Sequence, residues 1–387
     1  MLKNVKLKEL GEIFTGSTPS KKNKEFYNSE DIMFIKPDIL DFDIVNIGVS
    51  NEYISEKARE KARIIPANSL LVSCIGSIGK LGINEKEVAF NQQINAIVPN
   101  NKIKSSRYLA YLLKYNQKKL ESIANAPVVP IINKTQFSEF EVLIHENLNF
   151  QEQITQILDK SKEIIEKRKE QIQFLDKLVK SKFIEMFNIW FSNKESYRKL
   201  VEICNFIDYR GKTPEKSEIG IPLITAKNVK NNRFSFEPRE YIPMKNYKDV
   251  MTRGIPSVND ILFTTEAPLG NVCRIPNIEG EFCVGQRLIT MKPLEEICSE
   301  YLEYALLSKQ FQGEMWKHAS GSTVKGIRSK ELVKLSIPVP PIELQNQFAN
   351  FAKQVDKLKF EMEKSLKDLE DNFNSLMQNA FKGELFN

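Results

Sequence analysis

Leu7-Lys8-Glu9-Leu10, followed by Phe14-Thr15-Gly16-Ser17-Thr18-Pro19, is answered half a chain later. The answering stretch is Leu200-Val201-Glu202-Ile203 and Phe206, then Arg210-Gly211-Lys212-Thr213-Pro214. The correspondence continues in the same order. Ile35-Lys36-Pro37-Asp38-Ile39 resembles Ala226-Lys227-Asn228-Val229, and Tyr53-Ile54 returns as Tyr241-Ile242. Ile65-Pro66 with Leu70-Leu71-Val72-Ser73 and Gly79 returns as Ile255-Pro256 with Ile261-Leu262-Phe263-Thr264 and Gly270. Gln92-Gln93-Ile94 returns as Gln286-Arg287-Leu288, Tyr108-Leu109 as Tyr301-Leu302, Gln151 as Gln345, and Phe187 as Phe381. The offset stays near 194 in a chain of 387 residues, so one unit is written twice.

Each unit has two parts. The first mixes short apolar runs with Gly, Pro and Asn punctuation, which predicts a compact α+β domain with a small sheet core. Strands are expected at 70–74, 87–98, 260–265, 271–275 and 282–291, and short helices at 107–118 and 299–311. The second part is a long helix. Residues 151–187 and 344–381 contain no Gly or Pro. Their apolar residues advance in steps of seven: Leu158, Ile165, Ile172, Val179, Met186 in one, and Phe348, Val355, Met362, Leu369, Leu376 in the other. A second seam is read through Ile157, Ile164 and Leu178. Helices this amphipathic are expected to pair with each other. Surplus seam is left for partner helices, and Lys167, Arg168 and Lys169 read as a solvated face.

The resulting division is 1–147 for the first globular domain, 148–190 for the first long helix, 191–341 for the second domain and 342–387 for the second helix. Antiparallel helices, each spanning roughly 55 Å at 1.5 Å per residue, would put the two domains in a pseudo-twofold arrangement. Two similar domains on such a spacer suit a split DNA target, because twofold readers place half-sites roughly 34 Å apart.

Composition is permissive. The net charge of +6, from 56 basic and 50 acidic residues, favours nucleic acid only slightly. No apolar run reaches the ~20 residues of a membrane span, and residues 1–6 lack a signal-peptide core, so a cytoplasmic location is expected. The five cysteines are scattered without a Cys-x-x-Cys pair, and His145 and His318 are the only histidines. Reduced strand cysteines are preferred over a bridge between Cys273 and Cys283, and no metal site is expected. There is no Asn/Asp-Pro-Pro-Tyr/Phe signature and no Gly-x-Gly-x-x-Gly loop, and Gly79-Lys80 lacks the rest of a phosphate-binding loop. No Glu-x-Lys follows Pro37-Asp38. No catalytic residue is therefore assigned.

The pattern resembles the specificity subunit of type I restriction-modification enzymes over essentially the whole chain. The carrying residues are Leu7-x-Glu9-Leu10 with Gly16-Ser17-Thr18-Pro19, their echo at Leu200 and Gly211, Gly76-Ser77-Ile78-Gly79, Gln92-Gln93-Ile94, and Pro338-Val339-Pro340-Pro341-Ile342 leading to Gln345. The family's Glu-Gln after the double proline is here Leu344-Gln345, and the first copy has lost the prolines. The resemblance implies two target-recognition domains that bind double-stranded DNA without a cofactor of their own. It also implies two modification subunits that methylate adenine with S-adenosylmethionine, and restriction subunits that use ATP and magnesium. Read from the residues alone, an orphan DNA reader serving another modification enzyme and a helical scaffold with protein-binding ends remain open.

Phosphate contacts need Lys or Arg, and base edges are read by Arg, Lys, Asn and Gln. Loops at corresponding places in the two copies supply the candidates. In the first copy these are Ser17, Thr18, Lys21, Lys22, Lys36, Gln92, Gln93, Asn133 and Lys134. In the second they are Tyr209, Arg210, Lys212, Lys227, Asn228, Gln286, Arg287, Lys325 and Arg328. Each has a bland alternative as a solvated residue or turn former. The glycines Gly16, Gly76, Gly79, Gly211 and Gly270 read as backbone requirements.

Overall fold

The side chains of strand Leu70–Ser73, three apolar and one serine, are all buried, so the strand lies inside a layered domain and carries no period-two alternation. In the computed structural model, which describes residues 2–124, 129–209 and 214–385, this strand occupies the middle of a five-stranded sheet. The sheet order is Gly11–Thr15, Ile94–Pro99, Leu70–Ser73, Leu81–Asn84, Ile44–Ile47. A second sheet runs Tyr53–Ile54, Ile32–Ile35, Val88–Phe90, Ile64–Ile65, with Ile32–Ile35 parallel to Val88–Phe90. The two-stranded ladder Leu2–Lys6 with Glu141–His145 closes the domain. Helix Ser106–Tyr115 packs its buried face on the first sheet.

The second copy repeats the core of this topology with one strand fewer in each of the two sheets. Cys204–Asp208, Leu288–Pro293, Ile261–Thr264 and Val272–Arg274 form its main sheet. Tyr241–Ile242, Ile221–Ile224 and Cys283–Val284 form the second, again with one parallel pair. Tyr197–Lys199 pairs with Ser336–Pro338. The fold is α+β, two sheet-cored domains with long helices.

Several expected elements are broken by local polar chemistry. The run 87–98 is two strands in two sheets, because Asn91 Oδ1 accepts from Gln93 N at 3.1 Å and Ile94 N returns to Asn91 O at 3.2 Å. The run 282–291 divides in the same way between Cys283–Val284 and Leu288–Pro293. The helix expected over 299–311 stops at Leu306. Ser308 then caps a new helix, Lys309–Lys317, by accepting from Phe311 N at 3.2 Å. The helix over 107–118 likewise splits into Ser106–Tyr115 and Gln117–Ser122.

The chain divides into two units, Met1–Lys169 with Lys364–Asn387, and Glu170–Glu363. The long helices, Leu148–Ser192 and Ile342–Lys382, each contribute a segment to both. In the first unit the segments run antiparallel: His145, just before the first helix, bonds Ala380 O at 2.8 Å, and Lys169 pairs with Glu370 at 3.4 Å. In the second unit they also run antiparallel, with Phe187 against Phe348 at 5.6 Å and Asp176 against Lys359 at 2.5 Å.

Leu158, Ile165 and Val179 are buried, as are Phe348 and Val355. Met186 and Met362 pack at the edge of the second unit's core, Leu369 and Leu376 at the edge of the first, and Ile172 is half-buried. The second seam is corrected. Ile164 and Leu178 are 42% and 38% exposed, and the buried face runs instead through Ile154, Leu175, Phe183 and Phe187. All five cysteines are free. Burial pushes the Cys74, Cys204 and Cys283 thiols up to about 12, consistent with structural roles. No helix among the described residues is long and apolar enough to cross a membrane.

Candidate nucleic-acid interface

Where strand Leu70–Ser73 ends, the chain must turn sharply to re-enter the sheet at Leu81. Gly79, with φ +83°, makes that turn and donates its N–H to Ser73 O at 2.9 Å, while Lys80 N donates to Ser73 Oγ at 2.9 Å. Cys74, freed from the sheet, ties two distant loops together. Its N–H donates to Gln93 O at 2.8 Å and its carbonyl accepts from Ile132 N at 2.9 Å. The turn Gln92-Gln93 and the entry to helix Lys134–Ser138 at Asn133 thus share one surface. Thr18 joins it by donating Oγ1 to Gln92 Oε1 at 2.6 Å. Gly16 is required here, since an added Cβ would come within 2.1 Å of Asn91 O.

The second domain is laced by the same bonds on different residues. Gly270 N donates to Thr264 O at 2.9 Å and Asn271 N to Thr264 Oγ1 at 2.8 Å. Thr265 N donates to Arg287 O at 3.0 Å, and Thr265 O accepts from Ile327 N at 3.0 Å. Gln92-Gln93 therefore corresponds to Gln286-Arg287, and Asn133 to Arg328, which stands in the cap position of helix Ser329–Leu332. Clefts flank the Gln286-Arg287 turn on either side. One, of about 330 Å³, is lined by Glu266, Arg287 and Arg328; the other, of about 350 Å³, by Lys216, Lys227 and Glu240. Lys216 at 2.7 Å and Lys227 at 3.1 Å together hold the Glu240 carboxyl below its ordinary range.

Residues 2–173 and 193–370 both match the model of the type I restriction modification DNA specificity domain. The chain belongs to the type I restriction-modification DNA specificity family. Over 382 residues it is 26% identical to the putative type I restriction enzyme MjaX specificity subunit of Methanocaldococcus jannaschii, covering 91% of this chain and 86% of that protein. The MjaIX specificity subunit of the same organism is 29% identical over 198 residues, 50% of this chain, and the match spans only 44% of that relative's length. In fold the chain is similar to the crystal structure of the S subunit from M. genitalium, with a TM-score of 0.55 at 19% identity, covering 98% of this chain and 96% of that one.

Within this family fold the candidate residues take different places. Lys21, Lys22, Lys134, Lys325 and Arg328 are exposed, and Ser17 is half-buried with its hydroxyl 3.4 Å from Lys61 O. Lys36 pairs with Glu52, Lys227 with Glu240, and Arg287 with Glu266 at 3.2 Å. Others are spent internally. Asn133 and Gln136 form a reciprocal cap at 2.9 and 3.1 Å. Asn228 is buried, with its amide bonding Thr225 N, Ser235 O and Pro238 O. Tyr209 is 6% exposed, packed among Ile207 and Leu223 with its hydroxyl on Gly254 O, so its side chain serves the core. Arg210 and Lys212 lie outside the described residues. Sequence reasoning missed the lacing residues Cys74, Ile132, Thr265, Glu266 and Ile327. The signal for the second of these loops was present: Ile132-Asn133 and Ile327-Arg328 sit at nearly the repeat offset.

Proposed function

We infer that this chain is a non-catalytic DNA reader that directs adenine methylation and restriction by partner subunits to a bipartite, asymmetric target. The observation that carries the reading is the identical lacing of two domains around different side chains. The scaffold bonds of Cys74 and Thr265 coincide, whereas Gln93 and Asn133 are replaced by Arg287 and Arg328. A common build with divergent polar tips suits two recognition events of one kind on two unlike half-sites. Membership of the specificity family supports duplex DNA as the ligand. On this reading two modification subunits supply S-adenosylmethionine chemistry, and restriction subunits supply ATP- and magnesium-dependent translocation and cleavage.

Mapping methylated adenines across the genome in cells with and without the gene tests the proposal. A split motif whose methylation disappears with the gene is expected. An unchanged methylation map would overturn the reading.

A further inference from the structure

The two domains differ in charge at one matched place. Arg287 occupies the backbone position of Gln93, and Arg328 that of Asn133. Both arginines line the same cleft beside Gln286 and Glu266. The Arg287 side chain is 54% exposed, and Glu266 meets it at Nε, 3.2 Å away. That contact restrains the guanidinium at Nε while the side chain stays more than half exposed. In the first domain the same positions carry no charge, and their amide oxygens are occupied. Gln93 Oε1 accepts from Asn91 Nδ2 at 2.9 Å, and Asn133 Oδ1 from Gln136 N at 2.9 Å.

We propose that Arg287 and Arg328 are specificity-determining residues that read guanine in the half-site bound by the second domain. The first domain has no equivalent guanine reader at this place. The assignment rests on the bipartite reading above. The chemistry is that of a rigid fork: paired guanidinium donors match guanine O6 and N7 in the major groove, the commonest specific contact to a base. A lysine or an amide at the same spot lacks that geometry and charge together. Glu266 acts as a positioning residue, restraining the guanidinium through Nε.

The test is adenine-methylation mapping in cells carrying the full chain as wild type, Arg287→Gln or Arg328→Asn, each variant installing the first domain's residue. Asn is a favourable cap, so Arg328→Asn preserves the start of helix Ser329–Leu332. One half of the motif is expected to relax at a guanine position in each variant. The methylated fraction at sites with another base there should rise about tenfold, while the other half stays unchanged. A wild-type motif without guanine in either half overturns the proposal before any variant is made. An unchanged motif in both variants overturns it as well. So does a uniform loss of methylation by a chain that melts like wild type, which marks a phosphate contact. Failure of the proposed function is distinct, because then no methylated motif depends on the gene at all.

Discussion

Arg107 Nε and Asp159 Oδ1 meet at 2.7 Å where the first recognition domain seats on its long helix, and the second unit builds the same seat with the charges exchanged. There Glu300, on the domain, faces Lys353, on the helix, at 3.4 Å. The inversion extends one turn further. Lys162 pairs with Asp43 at 2.8 Å, whereas its counterpart Asp356 pairs with Arg274 at 3.0 Å. Each domain thus fits the charge pattern of its own helix and opposes that of the other. The double change Asp159→Lys with Lys162→Asp gives the first helix the second's pattern. It should destabilise the first unit by about 1–3 kcal/mol, since half-buried charges lose their partners and meet like ones. Adding Arg107→Glu and Asp43→Arg should recover at least half of that loss in urea melts. A fourfold variant no more stable than the double would show that the pairs carry no pattern.

Gln151 and Gln345 hold the long helices to their domains with matched bonds. Gln151 accepts from Lys104 N at 2.8 Å and donates to Lys102 O and His145 O at 3.0 and 2.7 Å. Gln345 accepts from Cys298 N at 3.0 Å and donates to Glu296 O and Pro340 O at 3.1 and 2.7 Å. Both are fully buried. Gln345→Leu strands one amide and two carbonyls, so a loss of about 2–3 kcal/mol is expected in denaturant unfolding. Gln345→Glu should cost more at neutral pH, because a carboxylate oxygen replaces the donor that faces two carbonyls. Equal stability of the Glu variant and wild type would contradict this account.

The repeat was legible because it preserves the residues that cannot vary without breaking a bond. Gln151 and Gln345 and Tyr108 and Tyr301 are such residues, and the buried rings Phe187 and Phe381 are kept by packing; together they fixed the two-unit organisation from sequence alone. The long helices were legible for another reason, the absence of any Gly or Pro in either. The strand breaks at Asn91 and Gly285 were not legible, since a turn of two or three residues inside an apolar run leaves the hydrophobic pattern intact. The candidate surface was half legible. Side-chain type pointed to Gln92, Gln93, Arg287 and Arg328 in the matched loops. It also pointed to Tyr209 and Asn228, whose polar atoms the fold uses internally, and composition carries no mark of that use.

The exposed face of the first long helix makes the corrected seam testable. Ile164 and Leu178 are 42% and 38% exposed beside the buried Ile165 and Val179, and neither belongs to the core of its unit. Ile164→Ser and Leu178→Ser should each change stability by less than about 0.5 kcal/mol. Val179→Ala, one residue along and buried, should lose about 1–3 kcal/mol by cavity formation. Thermal melts of the three variants compare them directly. A large loss from Leu178→Ser would restore the seam read from the sevenfold spacing.

Asp43 gives the first unit a defined acid sensitivity. Burial alone would raise its carboxyl, but Lys114 and Lys162 outweigh that and hold it at about 2, below its ordinary 3.8. A depressed carboxyl contributes stability that is fully present above the unfolded value and is lost as pH falls through the folded one. The contribution should therefore be intact at pH 5 and decline between about pH 4 and pH 2. Glu139 and Glu163 are also held near 2 by lysine neighbours, so the total acid slope belongs to several groups. The informative quantity is the difference between wild type and Asp43→Asn. That difference, measured by urea unfolding at a series of pH values, should shrink as the solution is acidified and should be smaller in high salt, because the pair is half-exposed. A gap between the two proteins that is constant from pH 5 to pH 2.5 would assign the effect of the substitution to packing and not to charge.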